Sequence, residues 1–245
     1  MHRSTATRGA ALVFGGSRGI GAAAVQRLAA DGHAVAFTYV SRPDEAQALA
    51  AQIARAGGRA IPLAADSGDA DAIRKAVAQA VELFGALQVV VVNAGIDKGG
   101  SIDAVSLADL DQMLAINVRG VFLSIQTTVR HVQDGGRVIT IGSNVAVLTG
   151  LAGASVFQLM KTAVAGLVKG AALDLAPRRI TVNNIQPGPI ETDLTAEWTE
   201  ALAQQSPLKR VGKPQEIGAL ISYLASEEAG YMTGASLTID GGLTL

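Results

Sequence analysis

Seven short runs of apolar residues recur along the chain, and longer Ala-rich amphipathic stretches separate them. The runs are Ala11–Phe14, Ala34–Tyr39, Ala60–Leu63, Leu87–Val92, Arg137–Ile141, Thr181–Ile185 and Leu237–Ile239. Between them the periodicity predicts helices near 19–31, 43–56, 69–84, 107–131, 154–176 and 214–225. Several runs, such as Leu87-Gln-Val-Val-Val-Val92, are apolar without alternation, as a strand must be when helices cover both of its faces. Strand alternating with helix therefore predicts an α/β fold, a doubly wound parallel sheet of about seven strands with ligands at the carboxyl ends. At 245 residues the chain suits one such core, and no repeat, low-complexity tract or linker divides it, so 1–245 reads as a single domain. The one irregular stretch is 186–213, where prolines at 187, 189 and 207 predict a loop or short-helix insertion near the site.

Composition removes several classes of function. A net charge of −1 with scattered Lys and Arg gives no basic patch for nucleic acid. With no cysteine, disulfides and thiolate metal sites are excluded, and His2, His33 and His131 are the only imidazoles, so no metal is expected. The basic start, Met1 to Arg8, precedes an apolar run (Ala10 to Phe14) too short for a signal segment. No stretch reaches the roughly 18 uninterrupted apolar residues of a membrane span. The expected setting is the cytoplasm and the expected partner a small molecule.

The first strand runs directly into Gly15-Gly16-Ser17-Arg18-Gly19-Ile20-Gly21, which opens a helix. Glycines at 15, 19 and 21 allow a tight turn and close backbone approach, so helix N–H groups and dipole can meet a pyrophosphate. A plain glycine turn is the ordinary alternative. The spacing is a variant of the Rossmann-type fingerprint. About 20 residues on, where an NAD enzyme carries an acid for the ribose 2′-hydroxyl, the chain has Ser41 and Arg42 instead. A hydroxyl and a guanidinium suit a 2′-phosphate, and Arg18 can add a second contact, so NADP(H) is preferred over NAD(H). Arg42 taken singly reads equally well as a solvated loop cation.

Further motifs follow in order: Asp66 after the third strand, Val92-Asn93-Ala94-Gly95 after the fourth, Asn117 in a long helix, and Ser143 after the fifth strand. Lys161, Pro187-Gly188 after the sixth strand, and the closing Thr233-Gly234 and Asp240-Gly241-Gly242 complete the series. In this order and spacing the chain resembles the short-chain dehydrogenase/reductase family over nearly its whole length. The resemblance implies that Asp66 lies near the adenine and that Asn93, Ala94 and Gly95 brace the cofactor. It places Pro187, Gly188, Ile190 and Thr192 on the nicotinamide side. It also implies a homotetramer or dimer built through the long helices.

By the same resemblance Ser143 holds the substrate oxygen, Lys161 binds the nicotinamide ribose and lowers the pKa of a neighbouring phenol, and Asn117 anchors a water in a proton relay. The fourth member of the family's set is a tyrosine four residues before the lysine, and that position here is Phe157. The tyrosines at 39, 223 and 231 belong to other segments. A phenyl ring preserves packing but donates no proton, and a positioned general acid contributes about 10²–10⁴-fold, so carbonyl reduction is expected to be strongly slowed. Each residue also has a plainer reading: Ser143 as a turn serine, Lys161 as a solvated helix cation, Asn117 as a side chain satisfying backbone groups at a helix kink, and Phe157 as core packing. Met160 is expected to extend an apolar pocket beside Phe157.

Three functions follow. The first is an NADPH-dependent carbonyl reductase scaffold acting on a ketone or alcohol, natural with altered chemistry or a deliberate Tyr→Phe variant. The second is a non-catalytic NADP(H)-binding or sensing protein. The third is a lyase or dehalogenase of related fold, which ranks last because such proteins lose the nucleotide glycines that stand here at 15, 19 and 21. The substrate loops 96–100, 144–156 and 190–206 read only as moderately apolar.

Overall fold

Every residue of β1 (Ala10–Phe14) is buried, and alternate side chains serve opposite layers. Leu12 and Phe14 belong to one core and Ala11 and Val13 to another. The computed structural model describes residues 8–150, 152–193 and 195–245, so Met1 to Thr7, with His2, lie outside the described residues. The remaining strands are β2 (Ala34–Tyr39), β3 (Arg59–Ala64), β4 (Leu87–Val92), β5 (Val132–Ile141), β6 (Thr181–Pro187) and β7 (Ser236–Ile239). All pair in parallel, in the order β3-β2-β1-β4-β5-β6-β7. The order reverses between β1 and β4, which opens a crevice at their carboxyl ends.

Helices α1 (Gly19–Ala30), α2 (Pro43–Arg55) and α8 (Pro214–Ala225) cover one face through side chains such as Val25, Leu49 and Ile221. The other face is covered by α3 (Ala70–Phe84), α5 (Val121–Thr128) and α6 (Ser155–Leu175), through Val77, Ile125 and Val168. The central strand β4 shows why its run is apolar throughout: Val90 and Val92 face the second layer, and Val89 and Val91 face the first. Burying a side chain of this size stabilises the fold by about 1.5–3 kcal/mol.

Two elements depart from the expected boundaries. The helix expected over 107–131 is interrupted: α4 (Leu107–Leu114) passes into a π-helical stretch at Ala115–Gly120 before α5 begins. The stretch ends on a close approach, because a Cβ at Gly120 would stand 2.3 Å from the Ser67 carbonyl oxygen. The fifth strand begins at Val132 rather than Arg137. Its first half carries Gly135 and Gly136, which give no apolar signal, and its register against β4 shifts there.

By length and composition Ser155–Arg178 would suffice to cross a membrane. Its face formed by Val156, Met160, Val164, Val168 and Ala172 is buried in the protein, and it carries the buried cation Lys161. After β6, a single bridge between Ile190 and Gly212 closes the irregular segment, which contains α7 (Thr199–Gln205).

Candidate active site

At the carboxyl end of β1 the chain turns through Gly15, whose φ of 72° favours glycine. A Cβ on Gly15 would lie 2.8 Å from the Ala94 Cα, and one on Gly21 only 2.0 Å from the Gly15 carbonyl oxygen. The turn is braced from both sides. The Gly15 N–H donates to Thr38 Oγ1 at 2.9 Å, and Asn93 Nδ2 donates to the Gly15 carbonyl at 2.7 Å. Helix α1 then opens with no side-chain cap and no acidic residue in its first turn, which leaves its amino-terminal N–H groups and dipole available to an anion.

A cleft of about 580 Å³ lies over this turn. Gly15, Ser17, Arg18, Gly19 and Ile20 line it together with Ser41, Asp66, Asn93, Ala94, Gly95 and Thr192. The Asp66 carboxylate accepts the Gly68 N–H at 2.8 Å. Arg42 stands outside the lining: its φ of 62° is left-handed, and its Nη1 donates to Glu45 at 3.0 Å. A backbone cradle that a Cβ would fill, an uncapped helix start and an adjacent guanidinium are the donor set a phosphate-bearing dinucleotide requires.

A second cleft, of about 350 Å³, shares Ile20, Asn93, Gly95, Ile96 and Thr192 with the first. Ser143, Phe157 and Lys161 line it together, with Pro187, Gly188 and Ile190 on the facing side. Strand β5 delivers Ser143 just past its end, and the 3.6-residue repeat of α6 puts Phe157 and Lys161 one turn apart on the same face. Ser143 Oγ makes two long contacts, accepting from the Val145 N–H at 3.3 Å and lying 3.4 Å from Asn144 Oδ1, so it retains bonding capacity toward the cleft. Lys161 Nζ donates to the Ile141 carbonyl at 3.0 Å and sits 5.4 Å from the centre of the Phe157 ring. Burial pulls the Lys161 ammonium down to about 8, against a smaller opposing pull from Asp97. Burial in turn raises the Asp97 carboxyl, which Lys161 only partly offsets.

Asn117 does not line either cleft. Its Oδ1 accepts the Ile96 N–H at 2.9 Å and its Nδ2 donates to the Ile96 carbonyl at 2.7 Å, so the amide clamps the segment after Gly95. Met160 corrects an expectation: it is fully buried with Met113 and Val156, its sulfur 3.2 Å from Asn117 Nδ2, and it lies off the cleft. Its position one residue before Lys161 turns it to a different side of α6.

The structure adds residues that sequence spacing does not mark. Leu243 and Thr244 bring the carboxyl-terminal end into the second cleft. Thr38 holds the glycine turn, and Asp193 lines the first cleft beside Thr192.

A family model described as Enoyl-(Acyl carrier protein) reductase matches residues 15–244. The chain is 38% identical over 233 residues to the Cyclic-di-GMP-binding biofilm dispersal mediator protein of Escherichia coli, covering 94% of each chain. It is 36% identical over 248 residues to Versicolorin reductase stcU of Emericella nidulans, covering 95% of this chain and 94% of the other. Among solved structures, a short-chain dehydrogenase/reductase from Serratia marcescens aligns with a TM-score of 0.95 at 49% identity, over 99% of this chain and 100% of that one. A blue fluorescent protein from a metagenomic library, in complex with NADPH, aligns with a TM-score of 0.94 at 41% identity over the same shares. With its glycine cradle, shared clefts and these relatives, the chain belongs to the short-chain dehydrogenase/reductase family of oxidoreductases.

Proposed function

We propose that the chain is an NADP(H)-dependent reductase of neutral ketones, or oxidant of the matching alcohols, in which proton delivery is impaired. The observation that carries this reading is the shared wall of the two clefts, on whose substrate side Ser143 and Lys161 meet the Phe157 ring, which has no hydroxyl to donate a proton. The dinucleotide, when bound, supplies or accepts hydride. Gly15 to Gly21 and Asn93 hold it, Arg18 and Arg42 favour its 2′-phosphate, and Lys161 takes the ribose on the nicotinamide side. Ser143 positions the substrate oxygen through its spare hydroxyl bonding. Asn117 fixes the Ile96 backbone, which both clefts share, and has little amide capacity left for a water.

Lys161 is the one charged side chain among the described residues lining the substrate cleft, whose walls include Ile96, Val145, Leu148, Ile190, Leu202 and Leu243. A neutral substrate with an apolar body fits such a lining better than a charged one. The name of the Versicolorin reductase relative agrees with a carbonyl substrate. We also take the chain to form a homodimer or homotetramer through the outer faces of α5 and α6.

The second reading is an NADP(H)-binding protein without turnover. Phe157 favours it, as does the similarity to a blue fluorescent protein in complex with NADPH. Phe157→Tyr separates the two. With a panel of apolar ketones, NADPH oxidation should rise by about 10²–10⁴-fold over the unaltered chain. A variant that binds NADPH and reduces nothing leaves the binding-protein reading standing.

A further inference from the structure

The two arginines assigned to the 2′-phosphate already share an anion within the chain. Arg18 Nη1 donates to Asp193 Oδ2 at 2.7 Å, and Arg42 Nη1 lies 3.5 Å from the same oxygen. Three separate segments therefore meet at one carboxylate: the turn after β1, the turn after β2, and the segment after β6. Asp193 lines the dinucleotide cleft, where the other carboxylate among the described lining residues, Asp66, is engaged by the Gly68 N–H. Glu45 holds the Arg42 guanidinium in place from its own helix at 3.0 Å.

We infer that Asp193 is a specificity-determining residue, an internal anion that occupies Arg18 and Arg42 until the 2′-phosphate of NADP(H) displaces it. The inference deepens the NADP(H) reading above and rests on it. A phosphate monoester near neutral pH carries close to two charges and three acceptor oxygens, against one charge on the carboxylate. The three side chains are all more than half exposed, so the resident pairs are worth little and exchange readily. NADH offers no group that competes for the same guanidiniums. The carboxylate therefore lowers affinity for NADP(H) while leaving NAD(H) binding almost untouched, and so narrows the preference that the arginines create.

Asp193→Asn keeps the shape and removes the charge. Titrations of NADPH and NADH, followed by nicotinamide fluorescence, should show NADPH binding about two- to five-fold tighter in the variant, with NADH unchanged. The gain should shrink as sodium chloride is raised, and it should vanish in an Arg18→Gln, Arg42→Gln background, as a coupled interaction must. If the unaltered chain prefers NADPH and D193N leaves that affinity unchanged or weaker, or strengthens both nucleotides alike, Asp193 is no competitor and the inference falls alone. Equal affinity of the unaltered chain for NADPH and NADH removes the 2′-phosphate reading and the inference together.

Discussion

Burial holds the Lys161 ammonium at about 8, below its usual 10.5, so the charged form is the costly one inside the fold. Below pH 8 both folded and unfolded chains carry the proton, and the folded state bears the full desolvation cost. Between about 8 and 10.5 the folded state releases the proton while the unfolded chain keeps it, so stability rises with pH across that window. At pH 7 the cost amounts to about 3 kcal/mol. Lys161→Met removes it but forfeits the charge-assisted bond to the Ile141 carbonyl, worth about 1.5–3 kcal/mol. The variant is expected to be more stable than the parent by up to about 1.5 kcal/mol at pH 7, with the advantage lost by pH 10. Thermal unfolding at the two pH values measures this, and an equal destabilisation at both would mean that Lys161 serves the fold. NADPH affinity should fall in the same variant, the common exchange of stability for function at a site.

At the scale of elements, the π-helical stretch Ala115–Gly120 turns Asn117 inward to clamp Ile96, and Gly120 permits it by lying against the Ser67 carbonyl. Gly120→Ala drives a Cβ to 2.3 Å from that backbone oxygen, and the helix or the loop must move. The expected loss is about 2–4 kcal/mol in urea unfolding. A loss within about 0.5 kcal/mol, the range of a neutral surface change, would show that the close approach is dispensable. This stretch also marks the limit of what the residues alone disclose. Strands buried on both faces announce themselves by composition, and Gly15 to Gly21 by spacing, because both depend on local geometry. The shared face of Phe157 and Lys161 follows from helical periodicity alone. One extra residue in a helical turn changes neither composition nor apolar content, so the break at 115 leaves no periodic signal, only the helix kink read at Asn117, and Gly135-Gly136 mute the first half of β5 by carrying no apolar side chain. Asp193, Leu243 and Thr244 reach the clefts through chain closure over long separations, which no local pattern encodes.

At the scale of the whole molecule, the outer side of α5 and α6 is apolar where solvent would favour charge. Phe122 is 45% exposed and Leu173 78%, and between α6 and the run from α4 through the π-helical stretch to Phe122 lies a largely apolar groove of about 530 Å³ beside Val118, Phe122 and Leu167, with Asp111 and Arg119 also in its lining. On α6, Gly166 and Gly170 have open space where a Cβ would stand, so nothing among the described residues requires them to be glycine. Each costs a helix interior about 0.5–1 kcal/mol relative to alanine. A second helix packed close against this face would explain both the cost and the exposure of Phe122 and Leu173, since small residues let helix axes approach and both side chains would then be buried. Phe157 and Lys161 belong to α6, so self-association through this helix would also stiffen the site. The expected outcome is an oligomer in size-exclusion chromatography with light scattering, and Gly170→Glu or Phe122→Glu should convert it to monomer while far-UV circular dichroism stays unchanged. NADPH affinity should weaken only modestly, because the glycine turn lies on the opposite layer of the sheet. A parent chain that runs as a monomer, or glutamate variants that remain assembled, would leave this face without a partner and Gly166 and Gly170 without a reason.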